Sequence, residues 1–441
     1  MEVIPPPTTA CHVVAMPYPG RGHINPVLNF CKLLLSYNSD ILVSFVVTEE
    51  WLGFIGGSEP KPHRNFRFIT IPNVIPSELA RAADLFGFFQ AVMTKMEAPF
   101  EELLHRLEPP PTLIVYDTMM SWVVGVGNRR NISVASFWPM SASFFSVFHH
   151  YHLLEENGDY PVNALEMGEK RVDYFPGISP TRLIDFPLSD GSSRCREVLQ
   201  LLSKSLSCLP KVQYLLFPST YELEPQAIHV LKSELSLPIY HIGPAISYLT
   251  LPSTLSSDLS YFQWLDNQPN NSVLYISQGS FLSVSNAQIE EIAAGLLQSG
   301  VRFFWVARKE TSRIKEMMMC GGKNTMGLVL EWCDQLRVLL HPAIGGFWSH
   351  CGWSSTMEGV FAGVPFLTFP IVMDQQLNSK MIVEDWKRDE IAELVKKFMD
   401  LNDDMRKRVK ELRQMCQLSI AKGGSSESNI NAFMRDITKR G

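Results

Sequence analysis

Residues 344–369, IGGFWSHCGWSSTMEGVFAGVPFLTF, predict a strand, a turn, a helix and a second strand, in that order. The apolar run at each end has the length of a buried strand, and Gly352 marks a tight turn just before the helix-like segment. Strands that are joined by a helix are usually parallel, and helices cover both faces of such a sheet. The stretch therefore indicates a doubly wound α/β fold.

The same alternation of apolar runs and helical stretches extends along the chain in two sets. The runs of the first set are residues 12–17, 41–48, 66–71, 113–117, 133–137 and 214–220, and those of the second are 272–280, 302–308, 327–332, 344–348 and 365–369. The polar, Pro- and Ser-rich stretch 241–258 between the sets is typical of a linker. We therefore predict two doubly wound, Rossmann-like domains that face a central cleft.

These two sets also give the domain limits. We predict an N-terminal domain over residues 1–240, a linker over 241–262 and a C-terminal domain over 263–425. Residues 426–441 space apolar side chains at i, i+3, i+4 and i+7, which predicts a helix with one docking face. We expect that face to pack back towards the N-terminal domain, and it consists of Ile430, Phe433, Met434 and Ile437.

The composition excludes several classes of protein. The 441 residues carry a formal net charge of −6, with scattered lysines and arginines, so nucleic acid is not an expected partner. The longest apolar runs have strand length, and the N-terminus lacks a cationic segment followed by a long apolar one. We therefore expect neither a membrane span nor a secretory signal. Eight dispersed cysteines without a C-x-x-C pair favour reduced thiols and a cytoplasmic location.

Three kinds of site compete for the turn around His350. A metal site is disfavoured because His350 and Cys351 are adjacent, so they point apart on an extended backbone, and no further ligand cluster accompanies them. A packed thiol is favoured over a nucleophilic Cys351, which needs a nearby base. The strand, the glycine turn and the helix N-terminus match the general anion site better, with the hydroxyls of Ser354 and Ser355 as added donors.

Two residues of this turn keep alternative roles. Ser355 and Glu358 have the spacing of a capping box, in which the glutamate binds only the start of the helix. This interpretation is as well supported as a ligand role for Glu358. Trp353 could pack in the core instead of contacting a ligand.

A longer segment resembles a known family. Residues 332–375, WCDQLRVLLHPAIGGFWSHCGWSSTMEGVFAGVPFLTFPIVMDQ, are similar to the donor-binding signature of plant family-1 UDP-sugar-dependent glycosyltransferases. PYPGRGHINP (17–26) and VLYISQGS (273–280) match the same family, and the resemblance covers nearly the whole chain. It implies a GT-B type fold, a UDP-sugar as co-substrate, no separate cofactor, no metal, a small-molecule acceptor and a monomeric enzyme.

The resemblance assigns the donor contacts residue by residue. It implies that Trp332 stacks on the uracil ring, that Gln335 lies near the base and ribose, and that Glu358 binds the ribose hydroxyls. Asp374 and Gln375 are similar to the pair that binds the sugar hydroxyls, and a glutamine at the second position tends to accompany glucose. The implied diphosphate contacts are Gly279, Ser280, His350, Trp353, Ser354 and Ser355.

The first domain is expected to supply the chemistry. Asn25 and Pro26 suit the N-cap and the first residue of a helix, which predicts that His23 lies just before that helix. Asp117 ends an apolar run and so is expected at the same edge of the sheet. The resemblance implies that His23 is the general base and that Asp117 orients it. Without the resemblance, His23 could be a surface residue and Asp117 could cap a turn.

The implied reaction is a direct displacement at the anomeric carbon with inversion, without a metal ion. The aromatic stretches 86–90 and 137–152 could line an apolar pocket for a lipophilic alcohol or phenol, such as a flavonoid or a hormone-like molecule, although ordinary core packing explains most of their residues as well.

The chain departs from the family in three places. Ser354 stands where the signature has Asn, Pro139 stands where many relatives have Thr, and Ser141 could compensate for the latter. After Lys387 a segment with a strand of the second sheet is expected to be missing.

These departures leave a catalytically impaired UDP-sugar-binding protein as the alternative function. A nicotinamide-dependent oxidoreductase is disfavoured, because no predicted strand runs into a G-x-G-x-x-G turn.

Overall fold

The computed structural model describes residues 11–55, 64–81, 83–246, 260–279, 285–320, 326–386 and 403–438. The chain forms two compact units. Unit 1 consists of Met1–Ile184, Leu188–Ala245 and Ser419–Gly441, and unit 2 consists of Asp185–Pro187 and Ile246–Leu418.

Unit 1 is built on a parallel sheet. Its strands are β1 (Cys11–Met16), β2 (Ile41–Thr48), β3 (Phe66–Ile71), β4 (Leu113–Asp117), β5 (Ser133–Phe137), β6 (Arg171–Val172), β7 (Thr181–Arg182), β8 (Tyr214–Phe217) and β9 (Ile239–His241). Seven of them form the sheet, in the order β3-β2-β1-β4-β5-β8-β9, while β6 and β7 form a separate antiparallel pair. Every residue of β1 is buried, as expected for a strand that helices cover on both faces.

Ten α-helices lie between β1 and β9 in the described part of unit 1. They are α1 (Arg21–Tyr37), α2 (Glu49–Ile55), α3 (Leu85–Lys95), α4 (Glu97–His105), α5 (Trp122–Arg129), α6 (Ala142–His149), α7 (His152–Glu156), α8 (Ala164–Met167), α9 (Ser193–Ser207) and α10 (Pro225–Glu234). The six strands that the sequence predicts for this half are confirmed. The short strands β6, β7 and β9 were not expected.

Unit 2 repeats the same winding on a smaller scale. Its strands are β10 (Val273–Ser277), β11 (Arg302–Val306), β12 (Gly327–Leu330), β13 (Ile344–Ser349) and β14 (Phe366–Thr368), all parallel. Their order is β12-β11-β10-β13-β14, the same pattern as that of β1 to β5. The helices are α11 (Ser260–Asp266), α12 (Asn286–Ser299), α13 (Thr311–Cys320), α14 (Gln335–Leu339), α15 (Trp353–Ala362) and α16 (Gln375–Lys380), followed by a π-helical turn, Met381–Asp385.

The predicted loss of a strand after Lys387 concerns residues that the structure does not describe. The described residues give unit 2 five strands, and α16 with its π-helical turn follows the last of them. The predicted linker, 241–262, is likewise only partly described: His241 ends β9 and Ser260 begins α11, whereas residues 247–259 lie outside the described ranges.

Two helices end the described chain, α17 (Asp403–Ile420) and α18 (Ser425–Thr438). The apolar stripe of α18 is buried in the core of unit 1, where Phe433 stacks edge-on against Tyr214 at 5.4 Å between ring centroids. Burying such an aromatic side chain stabilises the fold by about 3–5 kcal/mol relative to alanine. The last helix is therefore an integral part of unit 1.

Helix α1 begins a full turn earlier than the sequence predicts. The carbonyl of Gly20 accepts from the backbone N–H groups of His23 (2.9 Å) and Ile24 (2.8 Å), so the helix starts at Arg21. Pro26 consequently lies inside the helix, where it removes one backbone hydrogen bond. The predicted N-cap at Asn25 is wrong, and His23 lies in the first turn of α1 rather than before it.

Both sheets reverse their strand order beside their first strand, between β1 and β4 in unit 1 and between β10 and β13 in unit 2. Ligands of doubly wound sheets bind at the carboxyl ends of the strands at this switch point. Within each unit, the residues predicted for the site lie at the carboxyl ends of the strands, as this rule requires.

The described residues contain no helix that is both long and apolar enough to cross a membrane.

Candidate active site

His23 and Asp117 form a hydrogen-bonded pair at the switch point of unit 1. Strands β1 and β4 are neighbours, and the loop after β1 brings His23 to the end of β4, where Asp117 lies. His23 Nδ1 is 2.7 Å from Asp117 Oδ2. An ionised carboxylate only accepts, so His23 donates from Nδ1 and its Nε2 carries a lone pair. The pair has the geometry of a general base with its orienting carboxylate.

Burial fixes the carboxylate and leaves the imidazole accessible. The Asp117 side chain is 0% exposed, whereas that of His23 is 22% exposed. The other oxygen of Asp117, Oδ1, accepts from the backbone N–H of Met119 at 3.0 Å. Asp117 therefore accepts a hydrogen bond at each of its carboxylate oxygens. The Nε2 atom of His23 is the ring nitrogen that is left to contact a bound molecule.

Aromatic side chains lie next to His23. Its ring is 4.9 Å from that of Tyr18, which in turn lies 6.2 Å from Phe88 and 5.9 Å from Phe89. The predicted stretch 86–90 is therefore connected to the base through Tyr18. Phe88 and Phe89 are buried and Phe86 is partly exposed.

The second aromatic stretch, 137–152, is mainly core. The ring of Trp138 packs against those of Phe144 and Phe145 at 6.0 and 5.2 Å, and all three side chains are buried. Core packing, one of the two roles considered for this stretch, therefore applies to these residues. The Ser141 hydroxyl accepts from the Phe144 backbone N–H at the start of α6.

Sequence reasoning missed a second carboxylate near His23. Glu78 forms an ion pair with Arg81 at 2.9 Å, and His23 is the weakest of the charges that act on the pKa of Glu78. Burial raises the pKa of Glu78 to about 7, against the opposing effect of Arg81. No motif in the sequence marks this residue, which begins a short 3-10 helix, Glu78–Ala80, between β3 and α3.

At the switch point of unit 2, His350 is enclosed by two glycines. A Cβ atom on Gly279 or on Gly352 would lie 2.6 Å from His350 Nε2, so both positions need glycine. Gly279 also has a φ of 84°, which favours glycine. Burial lowers the pKa of His350 to about 4, and the charge of Arg308 adds to this. The ring is therefore neutral at physiological pH.

One atom of that ring has no partner. Among the described residues, His350 Nδ1 is buried without a hydrogen bond. The two glycines approach the other ring nitrogen, Nε2. A buried polar nitrogen without a partner is a group that a bound ligand can complete. Ser280, which was predicted beside Gly279, lies outside the described residues.

Gln335 links three of the predicted donor contacts. Its Nε2 donates to Ser355 Oγ at 2.9 Å and to Glu358 Oε2 at 2.7 Å, while its carbonyl oxygen accepts from the hydroxyl of Tyr275 at 3.0 Å. Burial raises the pKa of Glu358 to about 7, against the opposing effect of the Gln335 hydrogen bond. The sequence did not single out Tyr275, which anchors the group.

The structure excludes the capping box as the role of Ser355 and Glu358. Helix α15 begins at Trp353 with Gly352 as N-cap, so Ser355 lies inside its first turn. Glu358 binds the Gln335 side chain. The helix starts earlier than the capping box requires, since Asp374 Oδ2 accepts from the backbone N–H of Trp353 at 3.2 Å.

The remaining predicted residues lie at the start of α15 and at the start of α16. Asp374 Oδ2 also accepts from Asn378 at 2.7 Å, a contact that their i, i+4 spacing on a helix could have revealed. Gln375 Oε1 accepts from the N–H groups of Ile371 (2.8 Å) and Val372 (3.0 Å), which leaves its amide as a donor. Ser354 is the second residue of α15.

Trp332 and Cys351 differ in their exposure to solvent. The Trp332 side chain is 57% exposed, which is unusual for a tryptophan and suits stacking on a planar ligand. Cys351 is fully buried, and burial raises the pKa of its thiol to about 12. The prediction of a packed, unreactive thiol agrees with these values.

Comparison with known proteins adds to this geometry. A family model described as UDP-glucoronosyl and UDP-glucosyl transferase matches residues 221–412. UDP-glycosyltransferase 87A1 from Arabidopsis thaliana is 52% identical over 446 residues, which cover 96% of this chain and 100% of that protein. The chain belongs to the plant UDP-glycosyltransferase family.

Two further relatives extend the match. UDP-glycosyltransferase 87A2 from Arabidopsis thaliana is 50% identical over 456 residues, covering 98% of each chain. The crystal structure of UGT71G1 from Medicago truncatula, complexed with UDP-glucose, is 26% identical, with a TM-score of 0.79 over 97% of this chain and 98% of that one. These matches confirm the GT-B type fold, and the protein is an enzyme that uses a UDP-sugar as donor.

Proposed function

We propose that this UDP-glycosyltransferase transfers glucose from UDP-glucose to a hydroxyl of a small lipophilic acceptor, with inversion at the anomeric carbon. Unit 1 supplies the acceptor site and the base, and unit 2 supplies the donor site. The observation that carries the proposal is the His23–Asp117 hydrogen bond of 2.7 Å at the switch point of unit 1.

The tautomer of His23 determines which atom takes the proton of the acceptor. The acceptor O–H gives its proton to His23 Nε2 as its oxygen bonds to the anomeric carbon. The bond from that carbon to the diphosphate oxygen breaks, and UDP leaves with the electron pair. Asp117 stabilises the imidazolium that forms, because it accepts from Nδ1–H throughout. Attack from the face opposite UDP inverts the configuration.

The leaving diphosphate belongs at the start of α15. The first N–H groups of a helix lack partners within it and attract anions. Ser354 and Ser355 add hydroxyls there, and His350, which is neutral, adds a hydrogen bond without bringing a positive charge. Gly279 adds a close backbone approach on the neighbouring loop. The backbone N–H of Trp353 already donates to Asp374, so the contact proposed for Trp353 falls to its side chain, and Ser280, outside the described residues, keeps the role that the resemblance implies.

The nucleoside and the sugar are held by side chains. Trp332 presents an exposed ring to the uracil, and Gln335 positions Glu358 for the ribose hydroxyls. Asp374 and the amide of Gln375 bind sugar hydroxyls. Because the carbonyl of Gln375 is held by two backbone N–H groups, its amide orientation is fixed before the sugar binds.

The acceptor is proposed to be a phenol or a lipophilic alcohol, of flavonoid or hormone-like character. Tyr18 and the partly exposed Phe86 provide aromatic surface near the base. Aromatic walls with one polar group suit a planar apolar ligand.

The test is an incubation of the purified chain with UDP-glucose and a panel of phenols and lipophilic alcohols. UDP release and product formation are measured together, and proton NMR assigns the anomeric configuration. We expect a β-glucoside, the inverted product of the α-linked donor. An α-glucoside would contradict the displacement, and UDP release without a glycoside would contradict the transfer.

A second candidate is a UDP-sugar-binding protein with impaired catalysis. Ser354 favours it, because a shorter hydroxyl replaces the asparagine of the signature. Losing one hydrogen bond to a charged group costs about 1.5–3 kcal/mol. Saturable binding of UDP-glucose without turnover on any acceptor of the panel would support this candidate.

A further inference from the structure

Helices α6 and α10 of unit 1 are joined by a glutamate at each end. Glu224, the N-cap of α10, accepts from the backbone N–H groups of Ala142 (3.1 Å) and Ser143 (2.8 Å) at the start of α6. Glu234, the last residue of α10, lies against His149 and His150 at the end of α6. The two helices are therefore parallel. Glu224 suits the helix end that it meets, because an anion is favoured at a helix N-terminus, whereas Glu234 meets the opposite end through two imidazoles.

We propose that His149, His150 and Glu234 form a binding site for a divalent transition-metal ion, with Zn²⁺ as the physiological class. Glu234 Oε2 lies 3.3 Å from His149 Nε2 and 2.9 Å from His150 Nε2. The ligand atoms of the three residues all lie within 4.8 Å of one another. Two imidazoles and one carboxylate are the donor set that Zn²⁺ accepts in many proteins, with water as a fourth ligand.

The distances match those within a coordination shell. Ligand atoms bound to one Zn²⁺ at about 2.1 Å lie about 3.0–3.4 Å apart for octahedral to tetrahedral angles. The 3.3 Å contact of Glu234 Oε2 with His149 falls within this range, and its 2.9 Å contact with His150 falls just below it. An ion therefore needs only a small adjustment of side chains that are already convergent.

Hydrogen bonding prepares His150 as a ligand. Its Nδ1 lies 2.9 Å from the backbone carbonyl of Ser146, which can only accept, so Nδ1 carries the proton. In the neutral ring Nε2 then carries the lone pair that a metal ion requires, whereas without an ion a proton lies between Nε2 and Glu234 Oε2. A backbone carbonyl that fixes the tautomer and the ring orientation is the usual outer-shell arrangement of a metal-bound histidine.

Accessibility and charge also suit an ion. The side chains of His149 and Glu234 are 30% and 36% exposed, so an ion and its water can enter from solvent, while His150 is 9% exposed and rigidly held. The carboxylate of Glu234 offsets part of the charge of a divalent ion. Without an ion, the same groups form a proton-shared ion pair, which is the competing interpretation.

The site is remote from the base. Helix α6 starts just after β5, and its last residue lies about 12 Å further along the helix axis at 1.5 Å per residue. An ion there crosslinks α6 to α10 and stabilises unit 1. It takes no part in the proposed glucosyl transfer, and the proposal does not depend on that function.

The test uses the full-length chain without a polyhistidine tag, stripped of metal with a chelator and then dialysed. ZnCl₂ is titrated by calorimetry, CoCl₂ is followed by its visible absorption, and Tm is measured with and without ZnCl₂. We expect one equivalent bound with a micromolar or lower Kd, a cobalt spectrum without thiolate charge-transfer bands, and a Tm raised by several degrees.

Substitutions of the proposed ligands test which side chains bind the ion. His149→Asn and Glu234→Gln should each weaken Zn²⁺ binding at least tenfold and remove the rise in Tm. His229→Asn, which replaces an exposed histidine of α10, should change neither. Glu234→Gln keeps the shape of the side chain, and its Tm without metal shows whether folding is intact. Absence of saturable binding, or binding that both ligand variants retain, would overturn the proposal.

Discussion

Each unit places a histidine at the switch point of its sheet, and the two histidines have opposite surroundings. His23 follows the first strand of unit 1 and donates to a fully buried carboxylate. His350 follows the fourth strand of unit 2, has no carboxylate among its described partners, and has its pKa lowered to about 4 by burial and by Arg308. Asp117 accepts a hydrogen bond from His23, whereas burial of His350 opposes its protonation.

This difference separates two tasks within one fold. A general base must accept a proton during the reaction, so it needs a partner that stabilises the charge it acquires. A phosphate contact needs only a hydrogen bond from a group whose position is fixed, which the two glycines around His350 provide. The side chain is the same, and the neighbours that each loop supplies decide the chemistry.

The largest effect is expected when Asp117, the carboxylate partner of His23, is replaced. An amide in Asp117→Asn can donate to Nδ1, which would place the proton on Nε2 and leave no lone pair for the acceptor. We expect kcat to fall by about 10²–10⁴-fold, with the Kd of UDP-glucose unchanged. Steady-state kinetics and calorimetry check this. A Kd that rises as much as kcat falls would show that Asp117 is needed for folding or donor binding instead.

Glu358 offers a test of unit 2 through pH. Because the pKa of Glu358 is raised to about 7, its carboxyl is protonated below that pH and ionised above it. Ribose hydroxyls donate to the ionised form. The affinity for UDP-glucose should therefore fall as the pH drops from about 8 to about 6, by up to about tenfold per pH unit below 7.

The matched variant is Glu358→Gln, which keeps the side-chain shape without the titration. It should bind UDP-glucose at least tenfold more weakly at about pH 8 and show a flat pH dependence. Calorimetry with UDP-glucose is suitable, since its diphosphate does not titrate near neutral pH. A variant with the same pH profile as the original chain would rule out Glu358 as the titrating group.

The smallest expected effect concerns the helix start beside His350. Ser354→Asn restores the longer side chain of the signature at the second residue of α15, so a further hydrogen bond can reach the donor. We expect kcat/KM to rise by up to about tenfold, because the serine hydroxyl already keeps part of the interaction. Ser354→Ala is the control and should lower it. Equal kinetics in all three proteins would show that this position does not contact the donor.

Much of the fold could be predicted from the sequence because buried parallel strands have apolar sequences that are bounded by turn residues. The run around Val13, the run ending at Asp117 and the run before His350 all became central strands. The switch-point rule then places the loop residues that follow them. The proximity of His23 to Asp117 therefore did not depend on fine details of the sequence.

The details that failed depend on three-dimensional neighbours. Pro26 indicated a helix start, but the carbonyl of Gly20 accepts two hydrogen bonds and starts α1 a turn earlier. Ser355 and Glu358 had the spacing of a cap, yet Asp374, on a later loop, binds the start of α15 instead. Side chains brought together from distant parts of the chain leave no local pattern.

The cluster of His149, His150 and Glu234 is the clearest case of this limit. Two adjacent histidines do not form a ligand motif on their own, and Glu234 lies on another helix. The sequence-based expectation of no metal could not take this contact into account. Only the parallel packing of α6 and α10 brings the three groups together.

The central claim is that His23 acts in the chemical step and His350 in donor binding, and a crossed comparison of two variants tests it most directly. kcat and the Kd of UDP-glucose are measured for His23→Ala and His350→Ala. We predict that His23→Ala lowers kcat by about 10²–10⁴-fold with an unchanged Kd, whereas His350→Ala raises the Kd. Turnover that survives His23→Ala, or an unchanged Kd in His350→Ala, would contradict the account.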